Sequence, residues 1–309
     1  MANIRNQTTE DRYDRNILIE GFGEEGQSKL KNAKVLVVGA GGLGSPVLFY
    51  LAAAGVGTIG IVDHDTVNVS NLQRQILHRS DDIGREKVDS ACEKLAALNP
   101  ATGLLVYPET FTEANAERII KGNAPFCKFP DRPDGGAHTS SPASGERNGT
   151  GNDRSKEGLP GGYDMVVDCC DNYATKLLIN DVCVRMEKPY SHGAVVALRG
   201  EVMTYVPGSA CYRCIFDTPP EDGVLPTSSQ VGILGSVAGL AGSIQATEVI
   251  KYLTGMDGLI INRLLIIDAK TMHFFSLKVK KRNACMCGHD LNSYLTALGG
   301  KCAGTEWRR

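Results

Sequence analysis

Residues 35–63 constrain the fold of this chain more than any other stretch. Val35-Leu36-Val37-Val38 is a continuous apolar run, the pattern of a parallel strand covered on both faces. Gly39-x-Gly41-x-x-Gly44 follows directly, and then Leu43, Val47, Leu48 and Leu51 recur at helical spacing. Pro46 is tolerated in a helix's first turn, and Gly55 supplies a stop. Ile59-Gly60-Ile61-Val62 then reads as a second strand that ends at Asp63. The whole is a βαβ unit with a glycine turn at the helix N-terminus, where backbone amides and the helix dipole favour an anion. Asp63 lies where a carboxylate accepts from ribose hydroxyls. NAD, FAD and ATP all fit this much. The competing reading is that the glycines only permit tight helix–strand packing.

Strand and helix signals alternate through the rest of the 309 residues. Helices are expected at 87–98, 114–121 and 175–186, and strands at 104–107, 165–171, 202–206, 263–268 and 273–277. The fold class is therefore α/β: a Rossmann-like, mostly parallel sheet with helices on both faces, extended by antiparallel strands. Between Gly122 and Gly162, 14 of 41 residues are Gly or Pro, too few apolar groups to offset ordering entropy, so 122–162 reads as a disordered insertion. It lies within one domain, because the strand after it completes the first sheet. The long apolar run from Val231 to Leu253 contains Ser243, Gln245, Glu248 and Lys251, which marks a buried helix and not a membrane span. With no apolar signal segment in residues 1–15 and ten cysteines, a reducing, cytoplasmic setting is expected. A net charge of −2 offers no basic field for nucleic acid.

The residues after Asp63 favour ATP over a dinucleotide. Arg74 and Lys87, with Asn71 as a neutral donor, provide the cations that a triphosphate attacked at its α-phosphate needs for growing oxyanion charge. Asp171-Asn172 follows the strand at 165–171, and Asp171 is a hard oxygen ligand suited to Mg²⁺. The bland alternative is a solvated loop with surface ion pairs and an Asp-Asn helix cap.

Six motifs stand here in one order: Arg12-Tyr13-Asp14-Arg15, the GAGGLG turn at 39–44, SNLQRQ at 70–75, Ile83-Gly84-x-x-Lys87, Cys169-Cys170-Asp171-Asn172 and Cys211-Tyr212-Arg213-Cys214. Together they resemble the MoeB/ThiF/HesA adenylyltransferases, bacterial relatives of the ubiquitin-activating enzymes, from about Arg12 to Gly288 apart from the insertion. The resemblance implies a single adenylation domain over 1–288, with a nucleotide-binding half at about 12–186 and a zinc- and carrier-binding half at about 187–288. Residues 289–309 form a tail. It implies MgATP as the nucleotide, and as partner a small ubiquitin-like sulfur-carrier protein whose Gly-Gly carboxylate is adenylated with release of pyrophosphate. It places Arg15, Arg74, Lys87 and Asp171 in catalysis, with Arg15 reaching into the site of a partner subunit in a homodimer. Gly39, Gly41, Gly42, Gly44, Asp63, Asp65, Ser70, Asn71, Gln73, Arg74, Lys87, Asp171 and Asn172 contact the nucleotide or its metal. No sulfur-donating domain is recognised in the sequence, so a separate donor is expected.

The resemblance also implies a structural Zn²⁺ held by Cys211, Cys214, Cys285 and Cys287. Here the chain departs from the family's second CxxC, since Cys285-Met286-Cys287 is a CxC; Cys285 is the weakest of the four, with His289 or Cys302 as substitutes and a decayed site as the alternative. Where some relatives carry a cysteine for thioester or sulfur transfer, this chain aligns Ser228, a poor nucleophile beside a thiolate. Adenylation without a covalent enzyme–carrier intermediate at that loop is therefore expected. Cys92, Cys169, Cys170 and Cys183 read as packing residues. Gly235, Gly239 and Gly242 suggest close helix packing, as at a dimer interface. His192 either lines the cleft or is a satisfied core histidine. Competing functions are adenylation of another peptide or a tRNA-linked carboxylate, a nucleotide-binding scaffold without catalysis, and an NAD oxidoreductase.

Overall fold

A computed structural model describes residues 11–123, 159–216, 228–282 and 285. Its frame is one eight-stranded sheet in the order β3-β2-β1-β4-β5-β6-β7-β8. The strands are β1 (Lys34–Val38), β2 (Thr58–Val62), β3 (Gly103–Tyr107), β4 (Met165–Asp168), β5 (Tyr190–Val196), β6 (Arg199–Tyr205), β7 (Arg263–Asp268) and β8 (His273–Lys278). β3, β2, β1, β4 and β5 run parallel. β6, β7 and β8 continue the sheet antiparallel. The mixed α/β architecture expected from the sequence is present.

The apolar run of β1 divides between two cores because successive side chains point to opposite faces. Val35 and Val37 join one cluster with Ile59, Ile61 and Val167, while Leu36 and Val38 join the other with Val62, Leu105 and Val166. The first face is covered by α2 (Gly23–Asn32), α3 (Gly44–Ala54), α4 (Lys87–Leu98) and α8 (Gly235–Thr254). The second is covered by α5 (Ala116–Ile120) and α6 (Tyr173–Arg185). Two short helices, α1 (Asp14–Ile17) and α7 (Ser228–Val231), complete the set. Pro46 falls in the first turn of α3, and Gly55 ends that helix in the left-handed conformation, φ +88°. None of the described helices is long and apolar enough to cross a membrane.

Three differences from the sequence reading have local causes. β5 carries no alternating signal because Ser191 and His192 are buried along with Tyr190. β4 stops at Asp168, so Cys169 and Cys170 follow the strand. Gly235 and Gly242 serve contacts within this chain: a Cβ on Gly235 would overlap the Gln73 carbonyl, and one on Gly242 would come within 2.6 Å of the Leu43 carbonyl oxygen, whereas Gly239 faces open space.

The two ends of the expected insertion belong to the fold. A Cβ on Gly122 would lie 2.6 Å from Leu159 Cγ, and the Gly162 amide donates to the Leu159 carbonyl. The Tyr163 amide donates to the Ile120 carbonyl at 3.0 Å. Residues 124–158 and the tail at 289–309 lie outside the described residues.

Candidate nucleotide site at the switch point of the sheet

Chain order reverses between β1 and β4, and open α/β sheets bind ligands in the crevice at the carboxyl ends of such strands. Both strands deliver their terminal residues there. Gly39 adopts φ +103°, and a Cβ on it would sit 2.7 Å from the Cys169 carbonyl oxygen, so the glycine turn can pass the end of β4 only without a side chain. A Cβ on Gly44 would overlap the Gly39 carbonyl. The turn is therefore closed on itself, with Gly44 opening α3. Gly41 and Gly42 lie between, against the Gln75 and Arg74 side chains respectively.

The SNLQRQ segment packs over this turn. Arg74 Cγ is 3.5 Å from the Cβ position of Gly42, and its guanidinium donates to the Ser70 carbonyl at 3.0 Å. Asn71 closes a capping box: its amide oxygen accepts from the Asn68 amide at 3.1 Å, and Ser70 Oγ donates to Asn68 Oδ1 at 3.0 Å. Gln73 faces α8, its amide 3.5 Å from the Ile233 carbonyl.

Lys87 opens α4 and is buried, with its ammonium donating to Asp65 at 2.8 Å. Partial burial would raise the Asp65 carboxyl, but the hydrogen bond and charge of Lys87 hold it below its ordinary value. Asp63 is half-buried and shared: Oδ2 accepts from the Ala40 amide at 2.8 Å, and Oδ1 from the Asp65 amide at 2.9 Å. The carboxylate thus clamps the glycine turn. Asp171 is exposed beyond β4, and a hard, solvent-facing carboxylate fits Mg²⁺, which keeps several waters. Asn172 instead caps α6, accepting from the Thr175 amide at 2.8 Å. That is the helix-cap alternative of the sequence reading.

Arg15 lies apart from this cluster, exposed on α1. Its segment is anchored by neighbours: Arg12 donates to the Leu98 carbonyl at 2.8 Å, and Tyr13 accepts from Asn99 at 2.8 Å. Leu18 and Ile19 beside it are 72% and 50% exposed.

Behind the site runs a buried polar network that the sequence did not signal. Burial works against ionised Asp168, yet Lys176 at 3.2 Å and His192 at 2.8 Å draw its carboxyl down to about 2. Burial would lower the Lys176 ammonium, but Asp168 holds it above its ordinary value. His192 is a satisfied core histidine, bonded to Asp168 and to Glu201 at 3.3 Å. Burial raises the thiols of Cys169 and Cys170, and the latter donates to Asp168 at 2.7 Å. Neither has thiolate character.

Cys211, Cys214 and Cys285 form a triangle with Sγ separations of 3.5, 3.7 and 3.8 Å. Four thiolates about 2.3 Å from a tetrahedral Zn²⁺ stand about 3.8 Å apart. The triangle fits three of those vertices, and Cys285, the ligand the CxC spacing put in question, is one of them. Cys287 lies outside the described residues. So does the Ser228 side chain, although its backbone begins α7.

Comparison with known proteins places this geometry in a family. The ThiF family model matches residues 13–131 and 145–288. The chain is 37% identical over 287 residues to a sulfur carrier protein adenylyltransferase of Thermus thermophilus, covering 91% of each. It is 38% identical over 289 residues to the adenylyltransferase and sulfurtransferase MOCS3 of Culex quinquefasciatus, covering 93% of this chain but only 57% of that one. Its fold is like that of E. coli MccB crystallised with MccA-N7isoASN, with a TM-score of 0.68 at 23% identity over 92% of this chain and 76% of that one. The chain belongs to the ThiF family.

Proposed function

We propose that this protein adenylates the C-terminal Gly-Gly carboxylate of a small ubiquitin-like sulfur-carrier protein at the expense of ATP. The observation that carries the reading is the convergence, at the β1/β4 switch point, of the closed glycine turn, Arg74 and Lys87. The Thermus relative's name supplies the substrate class.

The carboxylate oxygen of the carrier attacks the α-phosphorus, and the bond from that phosphorus to the β-phosphate bridging oxygen breaks. Acyl-adenylate and pyrophosphate result. No covalent bond to the protein is needed, so the site must position the reactants in line and stabilise charge. The glycine turn offers backbone amides to the phosphates, Arg74 and Lys87 offer cations, and Asp63 takes the ribose. Asp171 would hold Mg²⁺, which neutralises charge on the departing pyrophosphate. Lys87 is released from Asp65 toward phosphate when the nucleotide enters, at little cost because the Asp65 carboxylate is half exposed.

Two further parts belong to the reading. Arg15 completes the site of a second subunit in a homodimer, consistent with its exposure and with the bare apolar side chains of Leu18 and Ile19. Cys211, Cys214, Cys285 and Cys287 hold a structural Zn²⁺ that ties the segment after β6 to the segment after β8.

ATP–pyrophosphate exchange with the purified protein tests the function, with Gly-Gly-ended carriers added one at a time and a Gly-deleted carrier as control. Exchange that needs one carrier and its terminal glycines is expected. ATP binding without exchange for any carrier overturns the reading in favour of a non-catalytic scaffold.

A further inference from the structure

We propose that His78 is a positioning residue that fixes the peptide plane between Ala40 and Gly41, aiming the Gly41 amide at a bound phosphate. The inference rests on the reading that the glycine turn holds ATP.

The Ala40 residue is held from both sides. Its amide donates to Asp63 Oδ2 at 2.8 Å, and its carbonyl faces His78 Nε2 at 2.9 Å. A carbonyl oxygen only accepts, so Nε2 carries the proton. Burial pushes the imidazole below its ordinary value, so the ring is neutral near pH 7. Nδ1 is then a lone pair, and it accepts from Ser90 Oγ at 2.8 Å. Ser90 Oγ in turn accepts from the Lys94 ammonium at 3.1 Å. The Asp82 carboxylate also draws on the Ser90 hydroxyl, so Ser90 joins the imidazole to the buried Asp82–Lys94 pair.

A trans peptide sets its C=O and the following N–H antiparallel. Drawing the Ala40 carbonyl toward buried His78 therefore turns the Gly41 N–H the opposite way, out of the core. Gln75 stands against Gly41 with its side-chain nitrogen 3.5 Å from the Cβ position, so a second donor borders the same turn. The imidazole also joins the two walls of the site. One nitrogen holds the glycine turn, and the other holds the first turn of α4, which Lys87 begins. An apolar side chain would fill this volume more cheaply than a buried imidazole that must satisfy both nitrogens.

The test compares ATP and adenosine affinities of the wild-type protein, His78→Leu and His78→Gln by titration calorimetry, alongside thermal unfolding. His78→Leu is expected to weaken ATP about tenfold or more, the worth of one misdirected donor to an anion. Adenosine, which lacks phosphates, should bind His78→Leu within about twofold of wild type. Gln can present an N–H to the same carbonyl and should recover most of the ATP affinity. Unchanged ATP affinity in His78→Leu, equal losses for ATP and adenosine, or no rescue by Gln each overturn the proposal. Should the Leu variant not fold, imidazole ¹⁵N shifts of the wild-type protein decide. A neutral Nε2–H ring is expected at His78, and an Nδ1–H ring overturns the assignment. These readouts need no turnover, so a failure of carrier adenylation is distinguishable from a failure of His78 positioning.

Discussion

A single methyl group at Gly44 tests the site at the residue scale. Its Cβ would overlap the Gly39 carbonyl, and both partners are backbone, so neither can swing aside. Gly44→Ala is expected to destabilise the fold by about 3 kcal/mol or more and to abolish ATP binding. Urea unfolding and nucleotide titration measure the two effects. Wild-type ATP affinity in that variant would show that the turn opens more readily than its geometry allows. The glycines were legible in the sequence because a tight turn needs them at fixed spacing. His78 and Lys176 were not, because a histidine or lysine buried among matched partners leaves no periodic or motif-like trace. Asn71, Asp63 and Asn172 were found by motif, but each spends at least one oxygen on the backbone around it.

At the scale of elements, the segment between the SNLQRQ loop and α4 is held by Asp82, whose side chain is 3% exposed. Burial would raise its carboxyl, but the Lys94 ammonium and the Arg79 amide bring it down to about 2. A depressed carboxyl pKa contributes stability that is present above the ordinary value near 4 and is lost as pH falls toward 2. Asp82→Asn leaves Lys94 buried beside a neutral partner and should cost about 3 kcal/mol at pH 7. The gap between variant and wild type should close between about pH 4 and pH 2; a constant gap in acid unfolding curves would contradict the assignment. Elements were legible in proportion to how apolar they are. α4 and β7 match their expected spans, Lys87–Leu98 and Arg263–Asp268, and β1 and β2 each begin one residue before theirs, at Lys34 and Thr58. β5 was missed because Ser191 and His192 are polar yet buried, their burial supported by partners that only the folded sheet provides.

At the scale of the whole molecule, the proposed homodimer makes a quantitative statement. If Arg15 completes the partner's site, Arg15→Ala and Lys87→Met fail separately for different reasons. A mixed dimer of the two variants contains one site with neither change. Co-expression should therefore restore exchange to about a quarter of the wild-type level, since half the dimers are mixed and each has one sound site. No recovery beyond the sum of the two variants would place Arg15 in its own subunit's site. A second expectation concerns residues 124–158. Gly122 and Leu159 touch, so a short Gly-Ser bridge in place of that segment should leave ATP affinity within about twofold and the unfolding midpoint nearly unchanged, because loop length enters stability only logarithmically. Loss of folding would mean that the segment supplies a structural element.

The same junction has a practical consequence. Tyr163 leads into the amino end of β4, so chain enters and leaves this point at the rim of the sheet opposite the carboxyl ends where the proposed nucleotide cleft lies. The pinned pair of Gly122 and Leu159 is thus a splice port. A reporter domain, an affinity handle or a tether to a sulfur-handling enzyme inserted there would be carried by the protein while leaving the cleft clear, and its length could be rewritten without retuning the core.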